Sequence, residues 1–139
     1  MKLTASDIAQ AVHAVRLTAA EQTTPGGFSI DSRALSPGDC FIAIRGKNFD
    51  GHSFISESLT KGARLVIASA ATFVPMDPAW PIVYVEDTLT ALKQLATSVR
   101  KTWGKCLVGI TGSNGKTTTK EITSFLLEAR YQVFKSMGN

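Results

Sequence analysis

An α/β fold is predicted for this chain, and two observations carry the prediction. Short Val- and Ile-rich runs alternate with segments whose apolar residues recur at helical spacing. In addition, an apolar run at 105–111 passes through a glycine-rich turn into a helical pattern beginning near Lys116.

Each element has its own signal. Thr4 with Asp7 forms a capping signature, and Ile8, Ala11, Val12 and Val15 mark one face of a first helix. Pro25-Gly26-Gly27 breaks that pattern, and Phe28–Asp31 reads as a short strand. Ser36–Asp39 is a turn, Cys40–Ile44 a strand and Arg45–Gly51 a polar loop. A helix carrying Phe54, Ile55 and Leu59 runs from His52 to about Gly62. Strands at Arg64–Ala68 and Ile82–Val85 flank a segment holding Pro75, Pro78 and Pro81. Asp87 caps a helix with apolar positions Leu89, Leu92, Ala96, Val99 and Trp103. Then come a strand at Lys105–Thr111, the glycine-rich turn, a helix bearing Ile122, Phe125, Leu126 and Ala129, and a last strand at Tyr131–Lys135.

Composition narrows the function. The chain has 139 residues, 44% hydrophobic and 19% charged, with a net charge of +4, which describes an ordinary globular protein. No Lys/Arg run suggests a nucleic-acid footprint, no stretch approaches a membrane span, and the N-terminus lacks the apolar core of a signal peptide. Cys40 and Cys106 fall in predicted strands without metal-ligand spacing and read as buried reduced thiols of a cytoplasmic protein. Trp80 and Trp103 read as packing residues, Asp39 and Asp77 as turn residues, and His52 as a helix-start or surface histidine.

The turn at 109–121 reads as a cradle for nucleotide phosphates. Gly112 and Gly115 let the backbone curl and approach a ligand with no Cβ in the way. Successive N–H groups from Gly112 to Thr117 can then face one concavity at the positive end of a helix. Lys116 supplies an ammonium for the phosphates, Thr117 a hydroxyl for magnesium, and Thr118 a further hydroxyl. The general phosphate-loop pattern asks for glycine five places before Gly115, where Ile110 stands.

A second polar concentration lies at 31–52. Arg33, Arg45 and Lys47 can offer donors to a diphosphate, and Phe49 can stack on a base. Ser32 and Asn48 can read polar edges, while Gly46 and Gly51 permit close backbone approach. A solvated surface loop explains the same composition equally well.

Together these residues resemble a known family. Thr111-Gly-Ser-Asn-Gly-Lys-Thr117 is similar to the ATP-binding signature of the Mur ligases, whose glycine spacing departs from the general loop as this one does. Asp31-Ser-Arg33, Pro37-Gly-Asp-Cys-Phe-Ile-Ala43, Asp50-Gly-His52 and Lys61-Gly-Ala63 resemble the N-terminal domain of the branch adding the later residues of the muropeptide stem. Thr117-Thr-Thr-Lys-Glu121 and Ser136-Met-Gly-Asn139 look most like the member that adds D-alanyl-D-alanine. The alternatives are the member adding the third stem residue, a non-catalytic nucleotide-sugar-binding module, and a general phosphate-loop kinase or GTPase.

The resemblance implies an ATP-dependent, ADP-forming ligase of peptidoglycan precursor synthesis, with ATP and magnesium as cofactors. It implies that a phosphoryl group activates the terminal carboxylate of UDP-N-acetylmuramoyl-tripeptide, and that the amine of D-alanyl-D-alanine then displaces phosphate. On this reading Gly112, Ser113, Asn114, Gly115, Lys116, Thr117 and Thr118 hold ATP, with Lys116 catalytic and Thr117 the metal ligand. Ser32, Arg33, Gly46, Lys47, Asn48, Phe49, Asp50, Gly51 and His52 grip the UDP end of the substrate.

The expected organisation is a small UDP-binding α/β domain at 1–100, continued at 101–139 by the first strand, phosphate loop, helix and strand of a truncated ATPase-type central domain. Only 22 residues come after Thr117, and a parallel nucleotide-binding sheet needs more strands than they can supply. The resemblance also calls for a central-domain acidic magnesium ligand, a carbamylated lysine and a C-terminal domain, none of which can be placed here. The stretch is therefore expected to bind without catalysing alone, as a cytoplasmic monomer without membrane insertion or nucleic-acid partners.

Overall fold

The computed structural model describes residues 2–46, 49–72, 77 and 79–136. The chain divides into two compact units, Met1–Gly104 and Lys105–Asn139.

The first unit is built on a five-stranded sheet in the order β1-β5-β4-β3-β2. Its strands are β1 (Arg16–Leu17), β2 (Phe28–Ser29), β3 (Cys40–Ile42), β4 (Leu65–Ser69) and β5 (Ile82–Val85). The pairs β2–β3, β3–β4 and β4–β5 are parallel, whereas β1 joins β5 antiparallel. Alternation along the strands divides the core. Cys40, Ile42, Leu65, Ile67, Val83 and Val85 pack on one face with Ile8, Ala91 and Leu95. Phe41, Ala43, Val66, Ala68, Ile82 and Tyr84 pack on the other with Ile55. Because both faces are covered, β4 and β5 read as unbroken apolar runs rather than alternating ones.

Helix α1 (Ala5–Ala11) starts at the predicted capping box: the Asp7 N–H donates to Thr4 Oγ1 at 3.1 Å, and the Thr4 N–H donates to Asp7 Oδ2 at 2.9 Å. The helix does not reach Val15. His13 turns the chain at φ 51°, and the Val15 N–H donates to Tyr84 C=O at 2.8 Å, opening the short edge strand β1. A two-residue strand carries too little alternation to be read in sequence. Arg16 marks it by lying 4.1 Å from the ring centroid of its register partner Tyr84.

A 3₁₀ turn at Gly51–Phe54 leads into α2 (Ile55–Thr60), and α3 (Thr88–Trp103) begins at the predicted Asp87 cap, whose Oδ1 accepts from the Thr90 N–H at 2.7 Å. The buried stripe of α3 runs through Thr88, Ala91 and Leu95, with Leu92 and Val99 half-buried beside it. Leu89 and Trp103, expected on that stripe, are exposed instead, and Trp103 carries the Arg100 guanidinium over its ring. Trp80 does pack against the core, and the Asp77 carboxylate accepts from the Ala79 N–H as a turn residue should. Of the proline-rich segment, Pro75 and Pro78 lie outside the described residues.

In the second unit, α4 (Lys116–Glu128) begins where predicted. The strands expected at Lys105–Thr111 and Tyr131–Lys135 do not form. A strand exists only as a member of a hydrogen-bonded ladder, and the described residues of this unit contain no strand to pair with. Cys106 is consequently exposed rather than buried, as are Leu107, Val108, Ile122, Phe125 and Leu126. Cys40 is buried within β3 as expected.

Ile67 is fully buried between β3 and β5, so Ile67→Ala should destabilise the first unit by about 2–5 kcal/mol in urea unfolding. Leu89→Ala, at an exposed position of α3, should stay within about 0.5 kcal/mol of the parent. Equal effects of the two would contradict this assignment of Ile67 to the core and Leu89 to the surface.

Candidate functional site

A cavity of about 630 Å³ opens at the carboxyl ends of β2 and β3. Parallel strands deliver their outgoing loops to that edge, which is where open α/β sheets bind ligands. Its apolar lining comes from Ile30, Phe41, Ile44, Phe49 and Phe54, and its polar lining from Asp31, Ser32, Arg33 and Glu57, with Gly46 and Gly51 between.

The turn after β2 is held by its own side chains. Asp31 Oδ1 accepts from the Arg33 N–H and from Arg33 Nε, both at 2.9 Å, and Oδ2 accepts from Nη2 at 2.7 Å. The Arg33 side chain foremost, with its backbone N–H, draws the Asp31 carboxyl down to about 2. From the far side of the cavity Lys61 Nζ donates to Ser32 C=O at 3.1 Å and to Glu57 Oε1 at 2.6 Å. The turn is thereby tied to the end of α2.

The loop after β3 is gathered by one carboxylate. Asp50 Oδ2 accepts from Arg45 Nε at 2.9 Å, and Oδ1 accepts from the His52 N–H at 3.0 Å and from His52 Nδ1 at 2.6 Å. Partial burial pushes the Asp50 carboxyl up, but the His52 backbone N–H and ring, with Arg45 after them, outweigh it and bring it to about 2. Gly51 makes the closest approach: its N–H donates to Ile44 C=O at 2.9 Å, and a Cβ there would stand 2.7 Å from Ile44 N and 2.8 Å from Ile44 O.

Of the residues predicted to bind substrate, Ser32, Arg33, Gly46, Phe49 and Gly51 line this cavity, while Asp50 and His52 stand behind it. Lys47 and Asn48 lie outside the described residues. His52 begins a helical turn, as expected, but its ring is buried rather than at the surface. Arg33 and Arg45, expected as open donors, are each forked onto a neighbouring carboxylate. Sequence reasoning misses Phe41, Ile44, Phe54 and Glu57 as lining residues; the spacing of the three apolar ones signals burial but not which neighbour they face, and Glu57 reads as an ordinary exposed helix residue.

In the second unit, Gly112 at φ 151° and Gly115 at φ 76° turn the chain into α4, and Gly115 is its N-cap. Both values fall where side chains are strained, which accounts for glycine there. Lys116 Nζ lies against the same turn, donating to Gly112 C=O at 2.6 Å. Among the described residues no cluster of His, Cys, Asp and Glu could hold a metal ion, and no helix is long and apolar enough to cross a membrane. Burial pushes the Cys40 thiol up, which leaves it unreactive.

Residues 26–100 match the family model described as Mur ligase family, catalytic domain, and residues 110–139 match that of the Mur ligase middle domain. The UDP-N-acetylmuramoyl-tripeptide–D-alanyl-D-alanine ligase of Bacillus subtilis (strain 168) is 41% identical over 120 residues, which cover 86% of this chain and 26% of that protein. MurF from Acinetobacter baumannii (crystal structure I) superposes with a TM-score of 0.80 at 31% identity, over 94% of this chain and 28% of that one. The MurF ligase of Thermotoga maritima, solved in complex with ADP, gives a TM-score of 0.67 at 44% identity, over 81% of this chain and 25% of that one. The chain thus spans about a quarter of the length of the relatives it matches.

Two outcomes test the site's construction. Gly51→Ala should destabilise the first unit by about 1–3 kcal/mol in thermal unfolding, because the new methyl meets backbone that cannot yield. The carboxyls of Asp31 and Asp50 are depressed from 3.8 to about 2, so their contribution is complete above about pH 4 and is lost as pH falls through about 2. Acid unfolding should therefore steepen between those limits, and Asp50→Asn should flatten the profile there. An unchanged profile would mean that the Arg45–Asp50–His52 contacts add nothing to stability.

Proposed function

The chain belongs to the Mur ligase family, and on that premise we propose that it forms the nucleotide-handling portion of an ATP-dependent ligase that joins D-alanyl-D-alanine to UDP-N-acetylmuramoyl-tripeptide. Residues 1–100 take the UDP end of the substrate, and residues 101–139 begin the ATP-binding region.

The observation that carries this reading is the cavity of about 630 Å³ at the ends of β2 and β3. Its volume suits a nucleoside-sized group, and its mixed lining of apolar and polar side chains suits a planar base attached to polar groups. Phe49, three-quarters exposed at the rim, offers a stacking face. Ser32, Arg33, Gly46 and Gly51 supply polar edges and open backbone around it. Lys47 and Asn48 complete the proposed substrate contacts, while Asp50 and His52, expected among them, do not line the cavity and instead hold the loop that does.

The turn at 112–115 fits a nucleotide tail on its own geometry. Two positive-φ glycines keep side chains away from the backbone, and α4 begins at Lys116 behind its Gly115 cap, with its amino end toward the turn. Gly112, Ser113, Asn114, Gly115, Lys116, Thr117 and Thr118 would hold ATP, and Thr117 would take magnesium. ATP, when bound, supplies the phosphoryl group that makes a carboxylate electrophilic. Lys116, now donating to Gly112 C=O, would exchange that acceptor for phosphate oxygens and offset their charge. The glycine-rich backbone fixes the tail, so this end of the site contributes positioning and charge rather than proton transfer.

Calorimetric titration tests both halves. UDP should bind saturably, and Phe49→Ala should weaken it about tenfold, the effect of losing one stacked base. Magnesium-ATP should bind independently of UDP, and Lys116→Ala should weaken it about tenfold or more while leaving UDP affinity unchanged. Failure of UDP to bind at millimolar concentration would overturn the assignment of the cavity.

A further inference from the structure

We propose that His52 is a positioning residue for the cavity at the ends of β2 and β3. Through Asp50 it staples the Arg45–Gly51 loop to the carboxyl end of β4. The inference rests on the nucleotide-sugar reading of that cavity and adds the device that holds one wall in place.

The geometry is a relay of three groups. The His52 ring is only 3% exposed. Its Nε2 lies 2.9 Å from the Ser69 N–H, 17 residues further along the chain at the end of β4. A backbone N–H can only donate, so Nε2 must accept, and the ring proton must sit on Nδ1. Nδ1 then donates to Asp50 Oδ1 at 2.6 Å, and the other oxygen of the same carboxylate receives Arg45 Nε at 2.9 Å and Nη2 at 2.7 Å. One continuous path therefore runs from the sheet through the ring and the carboxylate to the opposite side of the loop.

The cargo of the loop gives this path its significance. Gly46, Phe49 and Gly51 line the cavity, yet neither Asp50 nor His52 does. Inside the loop the Gly46 N–H donates to Phe49 C=O at 2.8 Å, and the Arg45–Asp50 bridge closes its base. Those bonds give the loop its shape but do not connect it to β4; His52 makes that connection. Filling the space with an apolar side chain would preserve packing and lose the path, so the imidazole does something that bulk alone cannot. Both ring nitrogens are committed to protein partners, which excludes His52 as a general base and as a ligand contact in this arrangement.

The test has three readouts. Long-range ¹⁵N–¹H spectra of the wild-type chain should show His52 as the Nδ1–H tautomer; an Nε2–H ring would overturn the proposal before any substitution is made. In His52→Phe, amide exchange at Ser69, Gly46 and Gly51 should accelerate at least tenfold while Ile67 keeps its protection, and UDP affinity should fall at least tenfold. His52→Gln, whose Oε1 can accept from Ser69 in place of Nε2, should restore part of the Ser69 protection and part of the affinity. A folded Phe variant with wild-type exchange at these amides, or with faster exchange but undiminished UDP binding, overturns the proposal. If the wild-type chain binds no UDP, the proposed function falls, and the staple is decided by exchange alone: fast loop amides in His52→Phe uphold it, and unchanged ones overturn it.

Discussion

A parallel sheet covered on both faces has nowhere to place polar chemistry except at the ends of its strands, and that constraint governs the first unit. Cys40, Ile42, Ile67 and Val85 face one layer, while Phe41, Val66 and Ala68 face the other, so none of these positions can carry a hydrated group. The polar residues of the candidate site accordingly come from the two segments that leave β2 and β3, the Asp31–Arg33 turn and the Arg45–His52 loop, with Glu57 added from α2. The same sheet furnishes the Ser69 N–H, at the end of β4, as an anchor for the second of these segments.

Charge around the cavity is organised in pairs. Arg33 is forked on Asp31, Arg45 on Asp50, and Lys61 bridges Glu57 and Ser32. Exposed pairs of this kind add little stability, but they restrict where each cation can point. On the proposed function, an anionic ligand would meet an Arg33 guanidinium already oriented by Asp31 rather than a mobile side chain, and would have to share it. Because Asp31 and Asp50 are held well below the usual carboxylate range, this pairing is complete at neutral pH. On the proposed function, recognition at the cavity would then depend on shape and oriented donors more than on net charge.

In the second unit, local and distant causes separate cleanly. Gly112, Gly115 and Lys116 form a positive-φ turn leading into a helix, and that part was legible because its causes lie within a few residues of one another. The runs at 105–111 and 131–135 read as strands in sequence, and the structure forms none there. An apolar run states a preference for burial; the ladder that makes it a strand must come from another segment. Within the first unit the same distinction separates the Thr4–Asp7 and Asp87 caps, found where expected, from β1, whose existence depends on the distant edge of β5.

By itself the sequence determined the alternation of strands and helices in the first unit, the helix starts at Thr4, Asp87 and near Lys116, and the two polar segments that the strands deliver to one edge. Each arises from side-chain period, capping chemistry or backbone freedom, all of which act over a turn or less. Only the tertiary structure decided that Phe41, Ile44 and Phe54 line a cavity, that both arginines are already paired, and that His52 is buried between Asp50 and the Ser69 amide. Those outcomes turn on which distant group arrives beside each side chain. The Ser69 amide, 17 residues from the ring it meets, has no local signature that a reading of residues in order could find.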